Sequence, residues 1–498
     1  MNIKKLLDDA INANDRSDFK EAKKIYQKIL ELDPKNEQYW IDYISIFVKL
    51  KQFDEAEIIS EKAIKENLNF AKVYQNLASI FQFRNKLEES ITNYKKAIKI
   101  NPKYYLAHNN LGIVFKKLNK LKEAEKSFGN TILLKPDFAF AHYHMGNTKF
   151  KLKKFEESEL SYIKAISIKQ NYIEAYINLS KAQKELGRLK EAELNARKAL
   201  NLTPNFPEAN IQLSISLFDL ARLDNDLKNK DLIKLNEAKK FALKGIELKP
   251  NYPLAHFNLG IILQEFGKLD QARECYEKSL DLDPYFQLAR DSLNILLNQI
   301  YLLNLIKIKH ESNTLEVINF KNKSIKDIIT SKRKVEKNAI NCLYKVNSIE
   351  LNKAKGGPLF GNGKTSDYQL FDKDYKILKT IKKDLIEIIK KEMKSDVYIM
   401  DSFFNILGSG GGSVPHHHLN SFDKTFSLID KKFSLTYYLS IGDQNGKEPG
   451  IFKLYKPNEE ILPTEGMIMI IPSNRKHSAV YSGKSDRVMI GANFYLLN

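Results

Sequence analysis

Cysteine is scarce in this sequence, with Cys275 and Cys342 as its two cysteines among 498 residues. Two cysteines cannot build a disulfide framework, and they exclude a zinc site made of several thiolates. No apolar run approaches the about 18 residues that a membrane-spanning helix needs. The first residues, Met1 to Asp9, lack the apolar core of a signal peptide. The sequence therefore predicts a cytoplasmic protein without a membrane span.

Acidic residues are outnumbered by basic ones, 61 against 80, which gives a formal net charge of +19. A basic face can bind nucleic acid by displacing counterions from phosphates. Here the lysines are spread along helical segments among many Asn and Ile residues, and no nucleic-acid motif is present. We therefore interpret the charge as a solvated surface and do not expect a nucleic-acid partner. The length suits two or three domains.

The first three hundred residues repeat with a period of 34. The marks are tripeptides that end in proline: Leu32-Asp33-Pro34, Ile100-Asn101-Pro102, Leu134-Lys135-Pro136, Leu202-Thr203-Pro204, Leu248-Lys249-Pro250 and Leu282-Asp283-Pro284. Small residues recur twelve positions before each of these prolines, or before the equivalent position where the proline is missing. They are Ala22, Ala56, Ser90, Ala124, Ser158, Ala192, Ala238 and Ala272. Two helices that cross closely need small residues, and a proline ends the second helix. The pattern predicts eight stacked helix pairs, with a 12-residue insertion near residues 224–236.

This pattern resembles the tetratricopeptide repeat over about residues 1–292, and the resemblance implies a superhelix whose first helices line a groove. A cap over 291–309 would complete a solenoid domain of residues 1–309. One position in the first helix of successive repeats is occupied mostly by amide side chains. The residues at this position are Asn76, Asn110, His144, Asn178, Gln212 and Asn258. Because an amide both donates and accepts hydrogen bonds, we expect this groove to hold a peptide or protein. The alternative is that Asn is merely tolerated at exposed helix positions.

Beyond the repeats, residues 310–355 are predicted to be a linker or bridging helices. From residue 356 the pattern changes to one long helix, Asp372 to Met393, followed by short runs of β type. These runs are Val397 to Leu407, Phe433 to Ile441, Ile451 to Tyr455, Met467 to Ile471, Lys476 to Tyr481 and Val488 to Leu496. The predicted fold is thus multidomain, an all-α repeat superhelix followed by an α+β double-stranded β-helix (jelly-roll) domain over residues 356–498.

Three adjacent histidines, His416 to His418, follow a glycine-rich turn, and His477 lies about sixty residues later. Neutral imidazole is the commonest side-chain metal ligand, so these residues predict a mononuclear metal site. A turn signal at Ser482 to Asp486 predicts a hairpin that pairs His477 with Arg487 on one face. A guanidinium beside a metal would suit an anionic co-substrate.

Six segments here resemble the 2-oxoglutarate- and Fe(II)-dependent dioxygenases, in the branch that carries tetratricopeptide repeats. They are Asp401 to Leu407, Pro415 to His418, Ser434 to Ser440, Pro449 to Phe452, Pro472 to His477 and Asp486 to Phe494. The resemblance implies metal ligation by His416, His418 and His477, and co-substrate binding by Arg487, Tyr438 and Asn405. The family motif is His-x-Asp, whereas His418 stands at the Asp place, so Asp423 is the runner-up ligand. No catalytic residue is implied beyond the metal centre.

What the resemblance implies for function is a hydroxylase that uses Fe(II), 2-oxoglutarate and O2, with ascorbate as a further candidate. Its repeats would recruit a peptide or protein substrate. The main alternative is a non-catalytic, cupin-like jelly roll that binds a metal on a protein-interaction scaffold. A third reading is a pure scaffold in which the repeats carry the function.

Overall fold

A computed structural model describes residues 3–66, 70–222, 231–312, 328–351, 358–445 and 447–497. Most of the predicted insertion and residues 313–327 and 352–355 of the predicted linker lie outside the described residues. The chain forms two compact units, Met1–Pro250 and Asn251–Asn498. Each is described by itself below.

The first unit consists of helix pairs at the predicted period. Its helices are α1 (Ile3–Asp15), α2 (Phe19–Leu32), α3 (Glu37–Lys49), α4 (Phe53–Lys65), α5 (Ala71–Phe83), α6 (Leu87–Ile100), α7 (Tyr105–Lys117), α8 (Leu121–Leu134), α9 (Ala139–Lys151), α10 (Phe155–Ile168), α11 (Ile173–Glu185), α12 (Leu189–Leu202), α13 (Pro207–Ala221) and α14 (Leu232–Leu248).

Small residues allow the two helices of a pair to cross closely, as predicted. A Cβ atom on Gly146 of α9 would lie 2.6 Å from the Tyr162 ring of α10, and Gly112 faces Phe128 in the same way. The hydroxyl of Ser158 donates to the Gly146 carbonyl at 2.8 Å. Phe128 and Tyr162 therefore fill the space that the two glycines leave, which fixes these two crossings.

The second unit begins with the last helix pair and continues into the β-rich region. Its helices are α15 (Pro253–Glu265), α16 (Leu269–Leu282), α17 (Gln287–Ser312), α18 (Lys337–Lys345), α19 (Lys376–Met393) and α20 (Ser421–Thr425), with 3-10 turns at Leu370–Asp372 and Ile429–Lys431. The predicted cap over 291–309 is part of the single helix α17.

The strands of this unit form two antiparallel sheets. They are β1 (Ile329–Lys332), β2 (Ile349–Glu350), β3 (Leu359–Phe360), β4 (Gly363–Thr365), β5 (Val397–Leu407), β6 (Gly411–His416), β7 (Lys432–Ser440), β8 (Pro449–Leu454), β9 (Glu459–Ile461), β10 (Met467–Pro472), β11 (His477–Tyr481) and β12 (Arg487–Leu496). The larger sheet has the order β1-β10-β7-β12-β5-β4-β2, and the smaller has the order β3-β6-β11-β8-β9.

Strand alternation gives this unit two cores. Residues on one face of the larger sheet, such as Phe404 and Tyr437, pack with Leu385 of α19. Residues on the other face, such as Tyr438, pack with Phe452 of the smaller sheet. Asn405 and Tyr438 lie on this second face, and His416 and His477 lie on the smaller sheet, so these candidates line the space between the sheets.

Two features differ from the sequence prediction. The larger sheet starts at β1, which pairs with β10, so residues before the predicted boundary at 356 belong to it. The predicted hairpin of His477 with Arg487 is wrong, because β11 pairs with β6 and β8 whereas β12 pairs with β5 and β7. The turn between β11 and β12 carries the chain from one sheet to the other, which spacing alone does not reveal.

Candidate metal centre

Three of the predicted ligands converge at the end of the smaller sheet. His416 ends β6 and is the direct register partner of His477, which begins β11, and their ring centroids are 4.4 Å apart. The backbone N–H of His418 donates to the Ser473 carbonyl at 3.0 Å. One nitrogen from each of the three imidazoles lies within 4.8 Å of the other two. Strand register thus brings together residues about sixty positions apart.

Backbone carbonyls set the tautomers of two of these rings. The Nδ1 atom of His416 lies 2.8 Å from the Val414 carbonyl oxygen, and that of His477 lies 3.2 Å from the Arg475 carbonyl oxygen. Because a carbonyl only accepts, each Nδ1 carries the hydrogen and each Nε2 keeps a free lone pair. Such outer hydrogen bonds are typical of metal-ligating histidines.

The spacing between ligand atoms fits a metal ion. The Nε2 atoms of His418 and His477 are 3.2 Å apart. Metal–nitrogen bonds of about 2.1 Å at angles between 90° and tetrahedral place two ligand nitrogens about 3.0 to 3.4 Å apart. The spacing of the three imidazoles is thus compatible with ligation of one divalent cation.

Burial keeps all three rings neutral. It lowers the pKa of His477 to about 4, with His416 adding to the effect, and it lowers the pKa of His418 well below its usual value, with His477 and His416 adding. The pKa of His416 is also lowered by burial. Neutral imidazole is the form that binds metals, so the site needs no deprotonation at neutral pH.

Asp423, the runner-up ligand, is not brought into this group. Its buried carboxylate accepts hydrogen bonds from Lys432 Nζ at 2.8 Å and from the Tyr495 hydroxyl at 2.5 Å. It also accepts from the Asn420 N–H at 2.8 Å, as part of the capping box that starts α20. These donors make Asp423 a structural ion-pair partner. The role of Lys432 was not predicted from the sequence. Its only signal there is a charged residue at the start of an apolar strand.

A cavity of about 260 Å³ between the sheets holds the three imidazoles in its wall. Asn405 and Tyr438, both predicted co-substrate residues, also line this cavity. The side-chain oxygen of Asn405 is buried without a hydrogen-bond partner. Buried polar atoms are normally satisfied, so this oxygen supports a polar occupant of the cavity.

Arg487 lies behind this cavity and does not line it. Its guanidinium donates to the carbonyls of Gly450 at 2.5 Å, Pro449 at 2.6 Å and Ile441 at 3.3 Å. It also lies 5.9 Å from the centre of the Tyr438 ring. Among the described residues, no lysine or arginine is part of the cavity wall. Direct contact between Arg487 and a ligand in the cavity would require it to leave these carbonyls.

The loop that carries the histidines is supported by the last helix pair. Helix α20 starts three residues after His418, and the hydroxyl of Ser421 donates to the Glu265 carboxylate of α15 at 3.1 Å. A Cβ atom on Gly267 would lie 2.8 Å from the Thr425 methyl group. Sequence reasoning gave no sign of this contact, since it assigned the two segments to separate domains.

The six predicted groove residues all lie on first helices, but their surroundings differ. Gln212 and Asn258 are buried, with 2% and 4% of their surface exposed, and Gln212 donates to the Ser180 hydroxyl at 3.1 Å. Asn178 donates to the Asn147 side-chain oxygen at 2.8 Å. Asn76, Asn110, His144 and Asn178 are partly exposed. The accessible members of the predicted row are therefore the four on α5, α7, α9 and α11, and their binding of a peptide stays a prediction.

Comparison with known families decides the nature of the repeats. Matches to tetratricopeptide repeats cover residues 13–80, 83–119, 141–172, 173–206 and 253–286. The repeats of this chain are tetratricopeptide repeats. The family matches end at residue 286, and no curated protein matches the chain. No helix in the described part of the chain is long and apolar enough to cross a membrane.

Solved structures with tetratricopeptide repeats are similar to part of the chain. The Cut9–Hcn1 hetero-tetramer of the APC/C is 16% identical, with a TM-score of 0.43, over 59% of this chain and 55% of that one. This chain thus spans little more than half the length of that protein. YrrB, described as having an unusual peptide-binding site, is 22% identical, with a TM-score of 0.31, over 40% and 96% of the two chains. PilF of Pseudomonas aeruginosa is 17% identical, with a TM-score of 0.37, over 44% and 95%.

Proposed function

We propose that the β-rich region is a jelly-roll dioxygenase of the hydroxylase type that depends on Fe(II) and 2-oxoglutarate. The tetratricopeptide repeats would recruit its peptide or protein substrate. The observation that carries the proposal is the convergence of His416, His418 and His477 on one cavity between two antiparallel sheets. Three neutral imidazoles suit a mononuclear Fe(II) centre that leaves coordination positions open.

In this proposal His416, His418 and His477 hold the iron, and the carbonyls of Val414 and Arg475 orient two of them. When bound, the iron supplies the oxidising chemistry. Apolar side chains between the sheets, including Phe452 in contact with His477, exclude water from the reacting centre.

The buried charge of Arg487 favours an anionic co-substrate. Its side chain is fully buried, and no described carboxylate forms an ion pair with it. Burial lowers its pKa, whereas the nearby rings of Tyr438 and Tyr481 raise it. Tyr438 lies between Arg487 and the adjacent cavity. An anion bound in that cavity would partly neutralise the positive charge of Arg487. Tyr438 and Asn405 are the polar groups that would contact it there.

A non-catalytic, cupin-like metal binder is the second candidate. It is favoured by the absence of a carboxylate from the described histidine group and by the carbonyls that occupy the Arg487 guanidinium. Under this alternative the iron binds, but 2-oxoglutarate is not consumed.

Anaerobic iron titration and a succinate assay separate the two candidates. We expect one Fe(II) per chain and iron-dependent succinate formation from 2-oxoglutarate once oxygen is admitted. His477→Ala should weaken metal binding by about a hundredfold or more, because it removes a ligand from the set. His417→Ala is the matched control for metal binding alone, since His417 lines the same cavity but is not one of the three converging imidazoles.

The outcomes discriminate between the candidates or reject both. Stoichiometric iron without succinate would favour the cupin-like binder. Failure to bind Fe(II) would reject both candidates. Arg487→Met should raise the KM for 2-oxoglutarate while leaving iron affinity unchanged, and an unchanged KM would remove Arg487 from the proposal.

A further inference from the structure

Basic charge is concentrated on three neighbouring first helices of the repeat array. Helices α7, α9 and α11 together contain six lysines and two glutamates. On one side α13 contains two acids and no lysine; on the other, α5 contains one lysine and no acid, and acids outnumber lysines only in α3, with two acids and one lysine. The basic segment is therefore local, and the general lysine bias of the chain does not account for it.

Two of these lysines are partly buried, and neither forms an ion pair with a described carboxylate. Lys116 Nζ lies 3.2 Å from His144 Nδ1, and Lys181 Nζ donates to the Asn178 side-chain oxygen at 3.3 Å. An ammonium group has three N–H donors, so each lysine has donors left for another partner. By contrast, Lys149 and Lys184 on the same helices are paired with Glu157 and Asp219.

Side-chain contacts, three hydrogen bonds and one ring–ring contact, link the two lysines across the three helices. The rings of His144 and Tyr143 on α9 are 5.2 Å apart, and the Tyr143 hydroxyl accepts from Asn178 Nδ2 at 3.2 Å. This set of contacts thus runs from Lys116 on α7 to Lys181 on α11. Its amides already bond to neighbouring side chains, so the lysines are the groups that a partner can still satisfy.

The electrostatics of the two lysines agree with this reading. Burial lowers the pKa of Lys116, and Lys151 lowers it further. Burial also lowers the pKa of Lys181, while Glu208 acts in the opposite direction. A half-buried ammonium that lacks a counter-ion gains most from a carboxylate brought in by a partner.

We infer that helices α7, α9 and α11 bind an acidic peptide segment whose carboxylates pair with Lys116 and Lys181. The inference rests on the proposed function, in that the acidic segment defines the class of substrate that the repeats recruit.

Fluorescence anisotropy of the full chain without metal tests this inference. The probe is a labelled decapeptide of alternating Glu and Ser, and the comparison probe has Gln in place of Glu. We expect the Glu probe to bind at least about tenfold more tightly than the Gln probe. Lys116→Gln combined with Lys181→Gln should abolish that difference.

The matched control combines Lys95→Gln with Lys122→Gln, which makes the same charge change at exposed positions on second helices. An equal loss in the control would attribute binding to net charge and overturn the inference. Tighter binding of a decameric single-stranded RNA would also overturn it. Should the double variant not fold, the single variants should each weaken the Glu probe about threefold. Because no metal or turnover enters this assay, its failure is distinct from failure of the dioxygenase proposal.

Discussion

Histidines play different parts in the two units. In the repeats, the Nε2–H groups of His108 and His142 donate to the carbonyls of Pro102 and Pro136, at 3.0 and 2.9 Å. Trp40 and Asn210 donate to the carbonyls of Pro34 and Pro204 from the same place in their own repeats. In the β-rich region, by contrast, histidines from separate segments face one another.

At this position of the repeat, the residue is thus a structural donor that other residue types can replace. A residue whose position follows no period is placed by the tertiary fold alone, and its substitution has no equivalent elsewhere in the chain. The comparison teaches that position within a period, rather than residue type, separates a structural histidine from a candidate ligand.

The largest expected effect concerns the buried ion pair of Asp423 and Lys432, which follows no period. Their side chains are 0% and 4% exposed, so Asp423→Asn leaves a buried ammonium without its counter-ion. We expect the free energy needed to open β7 and β12 locally to fall by about 3 to 5 kcal/mol. Hydrogen exchange followed by mass spectrometry measures this loss.

Asp430→Asn is the control, because Asp430 is exposed and should change exchange little. Iron stoichiometry decides the role of Asp423 itself. Retained stoichiometry in Asp423→Asn agrees with a structural carboxylate, whereas its loss would return Asp423 to the set of ligands.

A smaller effect is expected where the repeat demands a small residue. In Gly146→Ala the new methyl group meets the Tyr162 ring, so we expect a loss of about 1 to 3 kcal/mol. Gly129 also lies in a helix, but its nearest contact would be Met145 at 3.9 Å, so Gly129→Ala should stabilise by about 0.5 to 1 kcal/mol. Urea denaturation followed by helical circular dichroism compares the two. Equal effects would mean that the close crossing does not constrain the pair.

The repeat array could be predicted from sequence because every repeat forms the same pair of helices with small residues at the same positions. The 34-residue spacing of Ala22, Ala56 and Ala124 is visible without knowing any contact, and these residues are fully buried. What the period could not predict is which side chains stay accessible. Gln212 and Asn258 occupy the same position of the repeat as Asn110, yet neighbouring residues bury them.

The β-rich region was predicted less completely. Strand β5 matches the predicted run Val397 to Leu407, since alternation identifies long strands. Strand β6 was missed because its glycines suggest a turn, and the sheet assignment of β11 and β12 depends on pairing between distant segments. The meeting of His416 with His477 was expected from residue chemistry, but the pairing that produces it was not.

The smallest expected effect tests the opening comparison directly. His142→Asn should keep the hydrogen bond to Pro136, because Asn210 makes the equivalent bond to Pro204, and we expect a change within about 0.5 kcal/mol. His142→Ala removes the donor to the partly buried Pro136 carbonyl and should cost about 1 kcal/mol. Urea denaturation at neutral pH measures both. Equal losses would show that the repeat requires the imidazole itself.

The pH dependence of the same variants sharpens this test. Burial lowers the pKa of His142, although the bond to Pro136 partly opposes the shift. The unfolded chain, with a histidine pKa of about 6.5, therefore takes up a proton before the folded chain does. Stability contributed by His142 is present above this pH and is lost as the pH falls below it. His142→Asn lacks this proton uptake, so between pH 7 and 5 it should lose less stability than the wild type; a parallel loss would mean that His142 is protonated equally in both states.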